Sequence, residues 1–335
     1  MKWIDMHCDT LSALADPDYK RGDENLLKNN LCVDIQRLKR GNCAAQFFAC
    51  YVNAKACLKE NAQKDTSEKQ RKEAWDAAYD NVLSMIGYAG EAEGPDFRLA
   101  RTAEDILLAQ GEDRVAGILT VEEGGVLNGR TERLETLYSK GVRLITLTWN
   151  YENCIGSPNS RNAEIMAKGL TAFGRETVER MNELGMAVDV SHLSDGGFYD
   201  CIKYSDSPIV ASHSNARTLC AHPRNLTDEM LRALGENGGV AGLNFYSAFL
   251  TNGGIADVSD IARHASYMIS RAGEEAVALG TDLDGFESEA MPRGIKGVQD
   301  MERLWAAFEK AGITPRQIEK IAYKNVMRVL EDILK

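Results

Sequence analysis

The chain has 335 residues, 44% of them hydrophobic, which is enough for one barrel-sized domain or for two ordinary ones. Its 39 Lys and Arg against 50 Asp and Glu give a net charge of −11, the wrong sign for a surface that follows nucleic acid phosphates, so we exclude a nucleic-acid partner. The sequence has no run of about 18 apolar residues and no apolar signal segment near Met1, so we expect a cytoplasmic protein that does not insert into membranes.

Short apolar stretches rich in Val, Ile, Phe and Thr alternate along the chain with longer amphipathic ones, as is typical of βα units and a mostly parallel sheet. The predicted strands lie near residues 2–8, 44–52, 114–122, 142–148, 186–192, 209–212, 239–245 and 276–281. Eight such units predict an α/β protein with a closed (β/α)8 TIM barrel. No repeat or linker divides the chain, so we expect one catalytic domain over residues 1–335. A doubly wound open sheet is the alternative, but no G-x-G-x-x-G motif follows any strand.

Several helices can be bounded from their end signals. Residues 163–184 and 257–272 are predicted helices because a glycine, Gly185 or Gly273, follows each. Thr314 and Pro315 predict the start of a last helix, with Thr as the N-cap and Pro in the first turn. The charged segment 53–88 is interpreted as a long solvent-facing helix.

Metal-ligand side chains stand at the ends of predicted strands. His7 and Asp9 close the first strand as His-x-Asp, and alternation along a strand points both toward one face. His192 and His213 each follow a buried-looking apolar run. In a barrel the carboxyl ends of the strands meet at one rim, so these side chains are expected to meet there. Taken singly, each has an ordinary explanation as a polar strand end or a hydrogen-bonded core histidine.

Two carboxylate motifs complete this set. Glu122-Glu123-Gly124-Gly125 ends the third predicted strand, where a carboxylate could bridge two cations and where a solvated turn is the ordinary alternative. Asp282 ends the eighth strand, at the place where a hydrolase needs a base. Carboxylates together with neutral imidazoles suit zinc, and two zinc ions sharing a hydroxide would activate water and polarise a carbonyl. The residues therefore predict two zinc ions per chain and amide or ester hydrolysis.

The remaining histidines and the cysteines are expected to be structural. His222 lies in a predicted loop and His264 in a predicted helix. The eight cysteines include no C-x-x-C pair, which argues against a zinc ribbon and a thioredoxin-type redox pair, so we expect reduced thiols.

The longest ordered motif is Ser-His-Ser-Asn-Ala-Arg at 212–217, followed by Cys-Ala-His-Pro-Arg-Asn-Leu at 220–226. Together with Asp-Met-His-Cys-Asp at 5–9 and Asn-Val-Met-Arg-Val at 325–329, it resembles the membrane (renal) dipeptidase family, peptidase family M19. The resemblance runs over nearly the whole chain. It implies a zinc-dependent dipeptidase that hydrolyses dipeptides with a free C-terminal carboxylate, L-Xaa-D-Xaa substrates included, by attack of a metal-bridging hydroxide.

The resemblance also implies a role for each metal ligand. His7 and Asp9 would bind one zinc, and His192 and His213 would bind the other. Glu123, rather than the glutamate before it, would bridge the two ions, because the family's bridging glutamate directly precedes Gly-Gly.

Three further residues match catalytic or substrate-binding positions of the family. Asp282 would contact the bridging hydroxide and carry its proton to the leaving amine. Arg224 would hold the terminal carboxylate of the substrate, a task that suits the planar guanidinium. Tyr246 matches a tyrosine of the substrate pocket, although a tyrosine at a strand end is as often rim packing.

One position departs from the family pattern. Where the family reads Thr-Leu-Thr-His, this chain has Trp149 after Thr-Leu-Thr and then Asn150. The family's histidine helps to hold the tetrahedral intermediate, so this task would fall to a metal, to Asn150 or to the indole N–H, or else the activity is weak or altered.

Two alternatives to a dipeptidase therefore stay open: another amidohydrolase-type reaction, such as deacylation of N-acyl amino acids, and a specialised relative that has lost dipeptidase activity. Family members are commonly dimers, which leaves a homodimer open.

Overall fold

The computed structural model describes residues 1–16, 18–19, 22–57 and 67–334. Nine strands lie within these residues: β1 Trp3–Cys8, β2 Cys43–Tyr51, β3 Phe97–Leu99, β4 Val115–Glu122, β5 Val142–Thr146, β6 Ala187–Asp189, β7 Val210–Ala211, β8 Val240–Leu243 and β9 Val277–Leu279. The helices are α1 Thr10–Ala15, α2 Ile35–Arg40, α3 Glu68–Glu91, α4 Ala103–Gly111, α5 Thr131–Ser139, α6 Ala163–Met166, α7 Ala172–Leu184, α8 Asp195–Tyr204, α9 Asp228–Glu236, α10 Ser247–Leu250, α11 Val258–Ala272, α12 Met301–Lys310, α13 Pro315–Glu319 and α14 Asn325–Ile333.

Eight of these strands form a closed parallel barrel. Their order around the barrel is β1, β2, β4, β5, β6, β7, β8 and β9, and β9 returns to β1. The ring is closed between β2 and β4, which pair continuously from Ala45 opposite Ala116 to Tyr51 opposite Glu122. All of the pairings between strands are parallel. The predicted TIM barrel is confirmed, and each predicted strand overlaps an observed one.

The short strand β3 was not predicted from the sequence. It adds to the first residues of β4, with Phe97 opposite Val115 and Leu99 opposite Gly117. The Phe97 ring packs edge-on against Phe48, with 5.9 Å between the ring centroids. Three residues are too few for a strand period to be recognised, which explains why the pattern missed β3.

The predicted helix 163–184 is interrupted. Helix α6 ends at Met166, and α7 begins at Ala172 with Thr171 as its N-cap, so the prediction of one continuous helix is wrong. The carboxylate of Asp200 on α8 accepts a hydrogen bond from the backbone N–H of Leu170 at 2.8 Å, which holds the intervening turn. A tertiary hydrogen bond of this kind is not visible in the local sequence.

The other helix predictions hold in part. Asp257 caps α11, Gly273 ends it with φ 90°, and Thr314 caps α13 by accepting from the N–H of Gln317. The predicted helix 53–88 is observed from Glu68 onward as α3; residues 53–57 are not helical, so the predicted start is wrong, and residues 58–66 lie outside the described part of the chain. Helix α3 is not wholly solvent-facing, because one side of it is buried: Ala74, Ala78, Val82, Met85, Ile86 and Ala89. In the part of the chain that the structure describes, no helix combines the length and apolar character needed to cross a bilayer.

Two glycines let the strand ends approach one another at the carboxyl rim of the barrel. A Cβ atom on Gly280, after β9, would lie 1.7 Å from the carbonyl oxygen of Ser212, and one on Gly242 of β8 would lie 2.0 Å from it. Because real Cβ atoms do not approach backbone oxygens this closely, only glycine fits these positions without displacement of the backbone.

We predict that Gly280→Ala lowers the free energy of unfolding by about 1–3 kcal/mol, since the added methyl group must displace the backbone of Ser212. Gly253→Ala is the matched control, because a Cβ there meets no atom within 4 Å, and we expect a change within about 0.5 kcal/mol. Urea denaturation of both variants measures the difference. Equal stabilities would contradict the close approach at the rim.

Candidate metal centre

The first strand ends with two ligand-type side chains at the rim. Nε2 of His7 lies 3.3 Å from Oδ2 of Asp9, and both residues are buried. Among the described residues, Nε2 of His7, the ring nitrogen that faces the carboxylates, and Oδ1 of Asp9 find no hydrogen-bond partner. Buried polar atoms are nearly always paired, so unpaired ones at a strand end indicate that a ligand belongs there.

Glu122, the last residue of β4, lies at the centre of the site. Its Oε2 atom is 3.5 Å from Nε2 of His7, whereas its Oε1 atom is 3.1 Å from Nε2 of His192 and 3.5 Å from Nε2 of His213. The two oxygens of one carboxylate thus face two different groups of imidazoles. Burial raises the pKa of Glu122, but the positive charge of His7 and the close approach of the other imidazoles outweigh burial and hold that pKa well below its usual range.

His213 is held in one tautomer by the groups behind it. The hydroxyl of Ser212 donates to Oδ2 of Asp189 at 2.6 Å, so it can only accept from Nδ1 of His213, which lies 2.7 Å away. Nδ1 therefore carries the ring proton, and the lone pair of Nε2 points toward Glu122.

His192 is oriented in the same way. Its Nδ1 lies 3.1 Å from the amide oxygen Oδ1 of Asn150, which can only accept a proton. The Nε2 atoms of His192 and His213 are 3.1 Å apart, and burial lowers the pKa of both rings, that of His192 to about 4. Two unprotonated nitrogens facing each other and a carboxylate oxygen repel one another unless a cation lies between them. This donor set fits a metal ion.

Asp282 faces the other half of the site. Its Oδ1 atom lies 3.7 Å from Nε2 of His7, and its Oδ2 atom accepts from the side-chain amide of Asn244 at 2.8 Å. Burial raises the pKa of Asp282 to about 7, because desolvation outweighs the favourable charge of His7. Burial likewise raises the pKa of Asp9, to about 6.

Two overlapping sets of metal-ligand atoms result. His7, Glu122 and His213 form one, and His7, Asp9 and Asp282 form the other, with the ligand atoms of each set within 4.8 Å of one another. The structure therefore brings together His7, Asp9, His192 and His213, as the sequence predicted. Their role as ligands stays a prediction.

The choice of Glu123 as the bridging carboxylate is corrected by this geometry. Glu123 has φ 114° and turns away from the imidazoles. Its Oε1 atom accepts from the N–H of Gly125 and the amide of Asn153, and its Oε2 atom accepts from the N–H of Trp149. Burial raises the pKa of Glu123 to about 7. The residue beside Glu123, Glu122, occupies the place between the histidines.

Arg224 is buried next to the backbone of His213. Its Nη1 donates to the hydroxyl of Ser214 and its Nη2 donates to the carbonyl of His213, both at 3.1 Å. Its guanidinium lies 5.3 Å from the centroid of the Phe249 ring. The Nε atom is buried without a partner among the described residues. The charge of Arg224 is therefore only partly satisfied by the protein.

A cleft of about 440 Å³ opens above the cluster. Trp149, Asn150 and Tyr246, three residues singled out from the sequence, lie in its wall. The indole of Trp149 packs against Tyr51 at 4.9 Å between centroids, and the ring of Tyr246 packs against Phe286 at 5.0 Å. The cleft also reaches the ligand-type residues Asp9, Glu122, His192 and Asp282.

The sequence analysis missed the groups that hold the ligands. Asp189, the last residue of β6, lies between the apolar residues Val188 and Val190. It accepts four hydrogen bonds, from the N–H groups of Ser191 and Ser212 and from the hydroxyls of Thr146 and Ser212. A carboxylate inside an apolar strand was the available signal. His222 and His264, the two histidines for which the sequence predicted no catalytic role, lie outside the cluster. His264 is buried, and its Nδ1 atom lies 3.2 Å from the backbone N–H of Ala216.

Comparison with known proteins agrees with this geometry. The family model for membrane dipeptidase, peptidase family M19, matches residues 1–335. An uncharacterised protein of Klebsiella pneumoniae is 37% identical over 70% of this chain and 89% of its own length, and an uncharacterised dipeptidase of Schizosaccharomyces pombe is 32% identical over 89% of this chain and 71% of its own.

The fold of this chain is also similar to that of a solved structure. A metallopeptidase of Rhodobacter sphaeroides, crystallised with a phosphinate mimic of the dipeptide L-Ala-D-Ala, is 26% identical, with a TM-score of 0.84 over 99% of both chains. The chain therefore belongs to the membrane dipeptidase family, peptidase family M19, and is a metallo-dipeptidase.

Proposed function

We propose that the protein is a zinc-dependent dipeptidase with two metal ions per chain, acting on dipeptides with a free C-terminal carboxylate. The observation that carries the proposal is the position of Glu122, whose two oxygens face His7 on one side and the pair His192 and His213 on the other. A carboxylate shared in this way is suited to hold two cations at once.

The positions of the donor atoms divide the site into two halves, one for each ion. His7, Asp9 and Glu122 would hold the first, and His192, His213 and Glu122 the second. Imidazole nitrogen with carboxylate oxygen is a usual ligand set for zinc. The unpartnered buried atoms of His7 and Asp9 support a cation in the first half, and the unprotonated Nε2 atoms support one in the second.

When bound, the pair of zinc ions supplies a water molecule of lowered pKa and polarises the scissile carbonyl. Asp282 would accept a proton from the attacking water and return it to the leaving nitrogen of the scissile amide. The hydrogen bond from Asn244 to Oδ2 fixes the carboxylate and leaves Oδ1 directed at the cluster. A carboxylate held in one orientation within reach of the reacting atoms is what general acid–base catalysis requires.

The substrate would lie in the cleft with its terminal carboxylate toward Arg224. The unpartnered Nε atom and the buried charge of Arg224 support this orientation, because a substrate carboxylate would satisfy both. Phe249 and Tyr246 would flank the C-terminal residue, since both line the cleft and Phe249 packs on Arg224. The dipeptide mimic held by the Rhodobacter enzyme leads us to include L-Xaa-D-Xaa substrates.

We also propose that residues 1–335 are one catalytic domain. A single buried cluster joins Ile4 of the first strand, Ala278 of the last strand and Leu330 of the last helix. The beginning and the end of the chain thus pack into the same unit.

A substrate panel tests the reaction. We expect the zinc-loaded enzyme to hydrolyse L-Xaa-D-Ala and L-Xaa-L-Ala, and to lose at least roughly thirtyfold in kcat/KM when the terminal carboxylate becomes an amide, since a buried charge left unpaired costs about 2 kcal/mol or more. Arg224→Lys is expected to reduce this discrimination. Faster hydrolysis of N-acyl amino acids than of any dipeptide would instead assign a deacylase.

Metal analysis tests the bridging residue. We predict that Glu122→Gln retains fewer than two zinc ions per chain after dialysis, because it removes the charge that both halves share. Glu287→Gln is the matched control: Glu287 lines the same cleft but lies outside the sets of metal-ligand atoms. Mass spectrometry of the metals separates the two variants, and a Glu122→Gln protein with both ions would refute the bridge. A wild-type protein without metals would identify a relative that has lost the reaction.

Asp282→Asn tests the proton transfer. We expect it to keep its zinc content and to lose about a hundredfold or more in kcat, because the amide cannot accept the proton. Single-turnover rates on L-Ala-D-Ala would measure the loss. Near-normal turnover would remove Asp282 from its proposed role.

A further inference from the structure

Glu123 lies next to the proposed bridging residue, yet nothing in the reaction described above uses it. It is fully buried, and its backbone has φ 114° and ψ 81°. A glutamate in this conformation is strained, and strained residues persist where the surrounding structure has a use for them. The contacts of the side chain indicate what that use is.

The carboxylate of Glu123 connects two loops at the carboxyl rim. It accepts from the N–H of Gly125 in its own turn at 2.8 Å, and from the N–H of Trp149 in the loop after β5 at 3.3 Å. It also accepts from the amide of Asn153, which in turn donates to the carbonyl of Leu147 at 2.9 Å. The start and the middle of the β5–α6 loop are thereby tied to the end of β4.

That loop carries the residue that orients His192. Asn150, which follows Trp149 directly, places its Oδ1 atom 3.1 Å from Nδ1 of His192. The Asn150 side chain is exposed, so packing does not hold it in place. Its position depends on the backbone of Trp149, and that backbone is bonded to Glu123.

We infer that Glu123 is a positioning residue for the second metal half: through the N–H of Trp149 it fixes Asn150, and through Asn150 it fixes the ring and tautomer of His192. This inference rests on the proposed function, because it assumes that His192 and His213 bind one of the two zinc ions. Groups that hydrogen-bond to a metal-ligating histidine typically account for tenfold to a hundredfold in metal affinity. The bond between Glu123 and the loop is one step further from the ion and acts through Asn150.

The test is zinc titration of the metal-free full-length protein by calorimetry, together with the visible absorption of the cobalt-loaded form, which reports ligand geometry. Glu123→Gly removes the carboxylate and also relieves the strained backbone, so the protein is expected to fold. We expect zinc affinity at one of the two sites to fall roughly tenfold or more, with the other site unchanged. Asn150→Ala is expected to give the same selective loss.

A double-mutant cycle distinguishes positioning from a merely local role. Because both side chains act through His192, the double variant Glu123→Gly with Asn150→Ala is expected to lose no more affinity than the weaker-binding single variant. Additive losses, or an unchanged affinity and cobalt spectrum in Glu123→Gly, would overturn the inference. Glu123→Gln keeps the shape of the side chain and replaces one acceptor by a donor, so it is expected to show a smaller loss at the same site.

Glu152→Gln is the matched control in the same loop. The carboxylate of Glu152 accepts hydrogen bonds from Ser157 and Lys168, neither of which is a proposed ligand, so the Glu152→Gln variant is expected to bind zinc with the affinities of the wild type. A wild-type protein that binds no zinc would defeat the proposed function. Wild-type binding of two ions with no selective loss in Glu123→Gly would defeat only the role of Glu123.

Discussion

The sharing of one carboxylate between two groups of imidazoles depends on closure of the barrel. His7 lies near the end of β1 and His213 follows β7. Two strands, β8 and β9, lie between them on the shorter path around the sheet. Neighbouring strands are about 4.8 Å apart, so in a flat sheet these ends would be separated by about 14 Å. In the barrel the two rings stack with 3.9 Å between their centroids. Only inward convergence of the strand ends lets Glu122 reach both.

Two buried carboxylates outside the two sets of metal-ligand atoms make this convergence precise. Asp189 ties the ends of β5, β6 and β7 together through its four hydrogen bonds. Asp5 does the same on the opposite side, where it accepts from Thr281 and from the side-chain amide of Gln46. A buried charge is costly unless its hydrogen bonds are satisfied, and both of these carboxylates are fully engaged. They are therefore suited to hold the histidines rather than a metal.

Most of the barrel, and the meeting of His7, Asp9, His192 and His213 at one rim, could be predicted from the sequence, because strand ends and histidines leave clear local signals. The choice between Glu122 and Glu123 could not. A parallel strand covered on both faces is apolar on both, so the run Val115–Glu122 has no alternation to show which glutamate faces the barrel axis. The family resemblance selected Glu123 because Gly-Gly follows it directly, but the turn at that position directs the Glu123 side chain away from the histidines. The break between α6 and α7 was missed for a similar reason, since it depends on a contact with Asp200 that is remote in sequence.

The backbone at the rim explains why even a correct strand assignment does not fix the site. Glu123, His192 and Asp282 each follow closely after a strand and each has positive φ, at 114°, 67° and 61°. Such a residue breaks the two-residue alternation, so the direction of its side chain cannot be extrapolated from the strand before it. Each costs on the order of 1–3 kcal/mol, which the closed barrel and the hydrogen bonds around Asp5 and Asp189 must offset. Positive φ thus turns the side chains of His192 and Asp282 toward the ligand atoms and that of Glu123 toward the β5–α6 loop, and the rigid strands beneath keep that arrangement fixed.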